Sequence, residues 1–490
     1  MSVNISKSKY LSGLQCPKLL WSLFHDAESI PPYSAGTEAI FAQGHDVGVL
    51  AQSLYPGGLS IPWEASPADK LTLTQEALKG GQPIYEATFA AGGGYCQVDI
   101  LVPDGSVWNI VEVKSSTGVK DVNLEDVAYQ RYVCEAAGLV VGRCILVHLN
   151  NQYVREGELD IAQLFAHADL TEELPAIARR IPDRLAECQQ VVASGTVPDV
   201  AIGKHCSSPY GCLLKERCWS FLPEHAVFDL YRGGQRSWKL LDEGVLSIAD
   251  IGADFPLDRR QVVQRTAVQT GRPQVRKAGV QRFLKGLKYP LWLLDFETFQ
   301  TAVPRYEGTK PYQQIPFQFS LHSVEAPGAN PINHSWLAEG SEDPRAEFLT
   351  ALQSVLGTKG DIVAFNVGFE RARLDELARR YPEKERWLRK VNERFVDLIT
   401  PFRNFDYYHP DQQGSCSLKA ILPALTGKSY AGMAIAEGTA AAREFLRVEH
   451  GEVNEKDRQA VRQHLETYCE QDTLGMVWIL DALHEVAVQV

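Results

Sequence analysis

The sequence predicts an α/β protein of two or three domains, on three observations. At 490 residues the chain is too long for one hydrophobic core. Residues 97–117, QVDILVPDGSVWNIVEVKSST, read as a β-hairpin, followed by a helical pattern over 122–137 and an apolar strand over 139–149. Residues 289–299, YPLWLLDFETF, start a second strand-and-helix series, with strands over 315–324 and 361–365 and a helix carrying Leu374, Leu377, Ala378 and Tyr381. Nothing in the composition departs from a globular domain, with 45% hydrophobic and 22% charged residues.

In the first series, Val98, Ile100 and Val102 alternate with Asp99 and Leu101, and Pro103-Asp104-Gly105 supplies the turn. Side chains two apart on a strand point the same way, so Glu112 and Lys114 share a face. With Asp99 across the hairpin, two carboxylates and an ammonium converge. Such a set can hold a hard divalent cation and place a positive charge beside a phosphate. A surface hairpin with a cross-strand ion pair is the plainer reading of Glu-Val-Lys alone. Asp99 upstream and Ser115-Ser116 downstream favour the metal reading.

This pattern resembles the PD-(D/E)XK nuclease signature, in particular the RecB-like branch. The resemblance implies a restriction-endonuclease-like core. Within it Asp99 and Glu112 would hold Mg²⁺ or Mn²⁺, Lys114 would support the attacking water, and Gln130, on the following helix, would be a further site residue. Residues 37–54 read as an earlier helix, with Ile40, Phe41, Val47, Leu50, Ala51 and Leu54 facing inward and His45 projecting.

Residues 206–219 read CSSPYGCLLKERCW, with five residues between successive cysteines. Three local thiolates plus one distant thiolate make a four-sulfur site for zinc or an iron–sulfur cluster, and Cys16 is the natural fourth. A subset of RecB-like nucleases carries one N-terminal and three C-terminal cysteines around the nuclease core. Similarity to that layout implies a 4Fe–4S cluster on Cys16, Cys206, Cys212 and Cys218, clipping together a domain over 1–222.

Residues 223–288 predict a small helical segment and a basic linker. Nine Arg and Lys residues and no acid occur from Arg259 to Leu294, in a chain of net charge −12. Gly271 and Pro273 suggest an extended strip able to follow a phosphate backbone.

In residues 289–490, Asp295 and Glu297 end an apolar strand on one face, a costly arrangement unless a cation or solvent meets them. Asn366-Val367-Gly368-Phe369-Glu370 follows a second strand, and Tyr468 and Asp472 lie at i and i+4 on a late helix. Asp397, within VDLITPF, and residues 414–425 fall between. The order resembles the DnaQ-like DEDD exonucleases, with Glu370 where aspartate is usual. It implies an RNase H-like core in which Asp295, Glu297, Glu370 and Asp472 hold two metal ions and Tyr468 orients water for 3′–5′ hydrolysis.

Taken together, the sequence reads as a metal-dependent nuclease acting on nucleic acid, single-stranded DNA favoured and RNA possible. The alternative is a catalytically inactive nucleic-acid-binding adaptor in a repair or defence complex. No run of about 18 apolar residues exists, so no membrane partner is expected. With no signal-peptide pattern, the chain is expected to be cytoplasmic and its ten cysteines reduced or ligating.

Overall fold

A computed structural model describes residues 3–488. The protein is α/β and divides into two compact units. One comprises Met1–Ser220 with Thr301–Gln313, the other Phe221–Gln300 with Gln314–Val490. Among the described residues, no helix is long and apolar enough to cross a membrane.

The N-terminal unit is built on a seven-stranded sheet. Its strands are β1 (Ile5–Ser6), β2 (Leu59–Ser60), β3 (Ile84–Ala91), β4 (Gly94–Asp104), β5 (Val107–Lys114), β6 (Val141–Leu149) and β7 (Phe165–Asp169). They run in the order β2-β3-β4-β5-β6-β7, with β1 paired to β4. Gly105, at φ 61°, makes the tight β4–β5 turn that the sequence predicts, because a side chain there would be strained. β5 and β6 are parallel, joined through the helix Asp121–Ala136, whose inner face carries Val127, Tyr129 and Val133. That helix covers one sheet face with Ile110 and Leu146. The other face, with Val111, Val113 and Val147, packs under Val47, Ala51, and Ala302 of the returning 301–313 segment.

The helix Ala35–Ala51 matches the expected element but not its inner face. Val47 and Ala51 are buried, whereas Ile40 and Phe41 are 68% and 54% exposed. The packed face of this helix begins at Val47, and the turns before it hold no buried residue.

The C-terminal unit carries a five-stranded sheet of β9 (Leu291–Phe299), β10 (Ile315–Val324), β11 (Ile332–Leu337), β12 (Ile362–Ala364) and β13 (Phe395–Asp397). The order is β11-β10-β9-β12-β13. β9, β10 and β11 form an antiparallel meander, and β12 and β13 continue it in parallel. Every residue of β10 is buried. One face packs on helices Arg345–Val355 and Gly368–Arg380 through Phe348, Leu352, Leu374 and Leu377. The long helix Glu455–Val488 also packs on this sheet, and Gln318 Nε2 donates to the Leu465 carbonyl at 2.9 Å.

The basic tract corrects the expectation of an extended linker. It forms the helices Arg259–Thr270 and Lys277–Gly286, joined through β8 (Gln274–Val275), which pairs with β14 (Tyr407–Tyr408), all within the C-terminal unit. Asp258 caps the first helix, accepting from Arg260 and Gln261 N–H at 2.9 and 3.1 Å, and Gln261 returns the bond to Asp258 N–H. Gly271 ends the helix in a left-handed conformation. Caps at both ends outweighed the suggestion of Gly271 and Pro273.

His322 on β10 lies in a buried polar network. Its Nδ1 is 2.8 Å from Thr473 Oγ1, which is 2.7 Å from Ser320 Oγ. Burial, with a further push from His334, lowers its pKa to about 4. A histidine held neutral stabilises the fold fully above its unfolded pKa, and the contribution is lost as pH falls through the folded one. Between about pH 6.5 and 4 His322 itself is therefore expected to withdraw about 2 kcal/mol from the C-terminal unit, read as the difference between the unaltered chain and His322→Gln. Denaturant titrations of both chains at the two pH values check this.

Candidate functional site

Three sets of chemistry-bearing side chains assemble, two in the N-terminal unit and one in the C-terminal unit. The first lies where β3, β4 and β5 run side by side. The β4–β5 register pairs Ile100 with Val111 and so brings Asp99 beside Glu112. Val113 N–H donates to Asp99 Oδ2 at 2.7 Å, which fixes the carboxylate. Glu112 is 1% exposed, and two ammoniums meet its Oε1, Lys114 at 2.5 Å and Lys7 at 2.9 Å. Both lysines also bond Asp126, at 2.6 and 3.1 Å. Gln130 Nε2 donates to Glu112 Oε2 at 2.7 Å and to Asp126 Oδ1 at 3.1 Å. Its Oε1 is buried without a partner.

The electrostatics divide the two acids. Burial opposes ionisation of Glu112, but Lys114 and Lys7 outweigh it and hold the carboxyl well below the usual range. Burial also opposes charge on Lys114, and Glu112 and Asp126 outweigh it, so Lys114 stays protonated. Asp99 goes the other way: burial, then the Glu112 charge, push it up to about 8. Glu86 is raised as well, by burial and then by Glu112. It faces Asp99 between the Tyr85/Ile100 and Ala87/Val98 pairs, and its φ of 61° is rare for a residue with a side chain.

The expected residues Asp99, Glu112, Lys114 and Gln130 therefore come together. Lys7, Glu86 and Asp126 were not foreseen. Asp126 had a readable signal, being four residues before Gln130 on the same helix face. Lys7 had none, because its partner lies 105 residues away.

The second set is the four cysteines. Cys16, Cys206, Cys212 and Cys218 line one small cavity with Lys18, His205 and Leu214. The entry helix is tied to the cysteine loop by Gln15 Nε2, which donates to the His205 and Tyr210 carbonyls at 2.7 Å each. Burial raises the Cys16 thiol, and charge on Cys206 and Cys218 raises it further. Cys212 responds in the same way to burial and to the other three. All ten cysteines are free thiols. No three of these four sulfurs fall within the 4.8 Å that groups the acids described next.

The third set is carboxylate-rich. Asp295, Glu297 and Asp472 each bring an oxygen within 4.8 Å of the others. β9 supplies the first two at its i, i+2 positions, and the helix Glu455–Val488 supplies the third. Glu370, in the first turn of Gly368–Arg380, acts on Asp295 electrostatically but stands outside the trio. Its Oε2 is buried with no partner. Tyr430 donates to Asp472 Oδ1, and Tyr468 also bonds Asp472. Lys419 Nζ lies 5.6 and 5.4 Å from the Tyr430 and Tyr468 ring centres. Asp397 Oδ1 accepts from Asn366 N–H at 2.9 Å, holding the loop that leads to Glu370.

These acids carry too much negative charge for their surroundings. Burial, then Asp472 and Glu297, raise Asp295 well above the carboxylate range. Burial, then Asp472, push Glu297 up to about 8. Glu370 reaches about 8, mainly by burial. Asp472 rises only to about 6, because Tyr430 and Lys419 offset its burial. Hard divalent cations take oxygen donors of this kind, and the unpaired Glu370 oxygen adds one more, so the residues fit Mg²⁺ or Mn²⁺. Tyr430 and Lys419 were not foreseen; both lie outside the regular spacing of the strand and helix acids.

The comparisons with known proteins are sparse. The family model described as Domain of unknown function (DUF2779) matches residues 292–417, which span β9 to β13 and the acids Asp295, Glu297, Glu370 and Asp397. No curated protein matches. Among solved structures, one titled "Crystal structure of SSO0001" is similar to part of the chain. It is 16% identical, covers 44% of this chain and 98% of its own, and has a TM-score of 0.18, too low to carry a structural argument.

Proposed function

We propose that this chain is a metal-dependent nuclease with two candidate phosphodiester-hydrolysing sites, the C-terminal one acting from 3′ ends. The trio Asp295, Glu297 and Asp472 carries the reading. Three carboxyl groups drawn within 4.8 Å, with Lys419 the cation that acts on all three, destabilise the metal-free protein. A divalent cation would supply Lewis-acid polarisation of the phosphate and a more acidic bound water. Asp295, Glu297, Asp472 and Glu370 would hold it. Tyr430 fixes the Asp472 carboxylate, Tyr468 presents its hydroxyl beside the same acid, and Lys419 adds positive charge near them. The antiparallel meander continued by two parallel strands, with Asp-x-Glu on β9, supports the RNase H-like reading of this unit.

In the N-terminal unit, the order of helix, hairpin with Asp99 and Glu112-x-Lys114, helix and strand supports the PD-(D/E)XK reading. Asp99, Glu112 and Glu86 would hold the cation, and protonated Lys114 would offset charge on the phosphate. The convergence of Cys16, Cys206, Cys212 and Cys218 on one cavity supports a four-thiolate centre, with a 4Fe–4S cluster as its occupant.

A second reading has one observation in its favour. Two ammoniums and an amide already compensate Glu112, as in a structural ion network. On this reading the N-terminal unit binds nucleic acid without cutting it, as an adaptor would.

End-labelled single-stranded DNA and RNA with Mn²⁺ separate the readings. Lys114→Ala and Asp295→Ala, tested separately, are expected each to remove one product pattern. Loss of all cleavage in Asp295→Ala alone would leave the N-terminal unit as the adaptor. No cleavage by the unaltered chain, across substrates and metals, would sink the nuclease reading.

A further inference from the structure

The N-terminal unit exposes aromatic rings on two helices or their approaches that pack beside the strands of the Glu86–Asp99–Glu112 cluster. On the projecting turns of the helix Ala35–Ala51, Phe41 is 54% exposed, and the edge of Tyr33 meets it at 5.0 Å between ring centres. His45 follows Phe41 by one helical turn, and its neighbour Gly44 lies beside Ser115, the residue after Lys114. Elsewhere in the unit, Trp63 is 66% exposed, with Lys70 Nζ 4.6 Å from its ring centre. One turn after Lys70 on the helix Pro67–Ala77, Thr74 Oγ1 accepts from Thr88 N–H at 2.9 Å, two residues along β3 from Glu86. The Lys70 side chain is buried to 7% exposure, yet no carboxylate lies within salt-bridge distance of it among the described residues. A lysine buried at that cost normally has a carboxylate partner.

A polymer with flat apolar faces and a regular negative charge fits these features. Bases stack on exposed rings whatever the sequence, and a phosphate meets a cation that lacks a carboxylate. A duplex hides its base faces in its own stack, which leaves single strands. We propose that Trp63, Phe41 and Tyr33 form a base-stacking platform leading single-stranded nucleic acid to the Glu86–Asp99–Glu112 cluster, with Lys70 meeting a phosphate on the way. The proposal rests on the nuclease reading of that cluster and adds the surface that would hold the strand.

The test uses the full chain carrying Asp99→Asn and Asp295→Asn, so that bound strands stay intact. Fluorescence anisotropy follows one labelled oligonucleotide in three forms: single-stranded, single-stranded with abasic sites, and duplex. Trp63→Ala and Phe41→Ala are each expected to weaken single-strand binding by about tenfold and to leave the abasic strand unchanged. Trp63→Phe is expected to restore most of the affinity. Lys70→Gln is expected to weaken both single strands alike and to reduce the salt slope by about one.

Unchanged affinity in Trp63→Ala and Phe41→Ala, or equal losses with and without bases, would overturn the platform. So would a dimer in sedimentation that Phe41→Ala turns to monomer, since the rings would then serve a second copy of the chain. Cleavage by the unaltered chain is scored in parallel. Cleavage that Lys114→Ala removes, with no effect of the ring variants, sinks the platform alone. A ring-dependent loss of binding without any cleavage sinks the nuclease reading alone.

Discussion

Asp295→Asn is expected to abolish hydrolysis by the C-terminal unit while making that unit more stable without metal. The first effect should exceed about 100-fold, because outer partners of metal ligands alone cost 10- to 100-fold. The second follows from the raised carboxyl groups. A carboxyl whose folded pKa lies above its unfolded value stabilises the fold below about pH 4, and that stability is lost as pH rises through the folded pKa. Glu297 and Glu370, each at about 8, place the loss between about pH 4 and 8. Each pKa unit is worth about 1.4 kcal/mol, and the acids do not sum, since ionising one raises its neighbours. The melting temperature of the metal-free C-terminal unit should therefore fall from pH 5 to pH 8. Mn²⁺ should restore it, with a thermal shift that grows with pH. Asp295→Asn should remove the Mn²⁺ shift and leave the part of the pH dependence that Glu297 and Glu370 carry. A variant that keeps the full Mn²⁺ shift would show that the cation, if bound, is held elsewhere.

Cys16→Ser is expected to cost the N-terminal unit up to about 5 kcal/mol, the scale for a cross-link closing a very long loop. Cys16 and Cys206 lie 190 residues apart in sequence and line the same cavity. Anaerobically purified protein should be brown, with iron and sulfide at about four each per chain. The variant should lose both, while the Mn²⁺ thermal shift of the C-terminal unit persists. Colourless protein with one zinc per chain would replace the iron–sulfur assignment but keep the ligands. Full stability and full iron content in Cys16→Ser would remove Cys16 from the set.

What the sequence made legible was whatever local periodicity carries. A hairpin with period two brought Asp99 to Glu112, and an i, i+2 pair put Asp295 and Glu297 on one strand. An i, i+4 pair put Tyr468 beside Asp472 on one helix. The remaining parts of these sites depend on chain closure. Lys7 reaches Glu112 from the first helix, Tyr430 reaches Asp472 from a loop, and Glu86 depends on a left-handed residue inside a strand. None of these leaves a spacing to read. The basic tract shows the opposite case: its charge is plain in the sequence, while the cap that makes it helical comes from Asp258, just outside it. Ile40 and Phe41 fit an apolar helical stripe, and only the extent of the sheet decides whether such a stripe is covered.

The segment Thr301–Gln313 belongs to the N-terminal unit although the chain on both sides of it belongs to the other. Within the N-terminal unit, Tyr312 donates to the Ser115 carbonyl at 2.7 Å, and Arg155 N–H donates to the Thr309 carbonyl at 3.0 Å. The gene therefore has no single cut that yields two whole parts. A stop codon after Ser220 would leave the first unit without this strap, against the face that carries Val113 and Val147. Recombination that exchanges one unit for a homologue must carry the strap with it or break a buried seam.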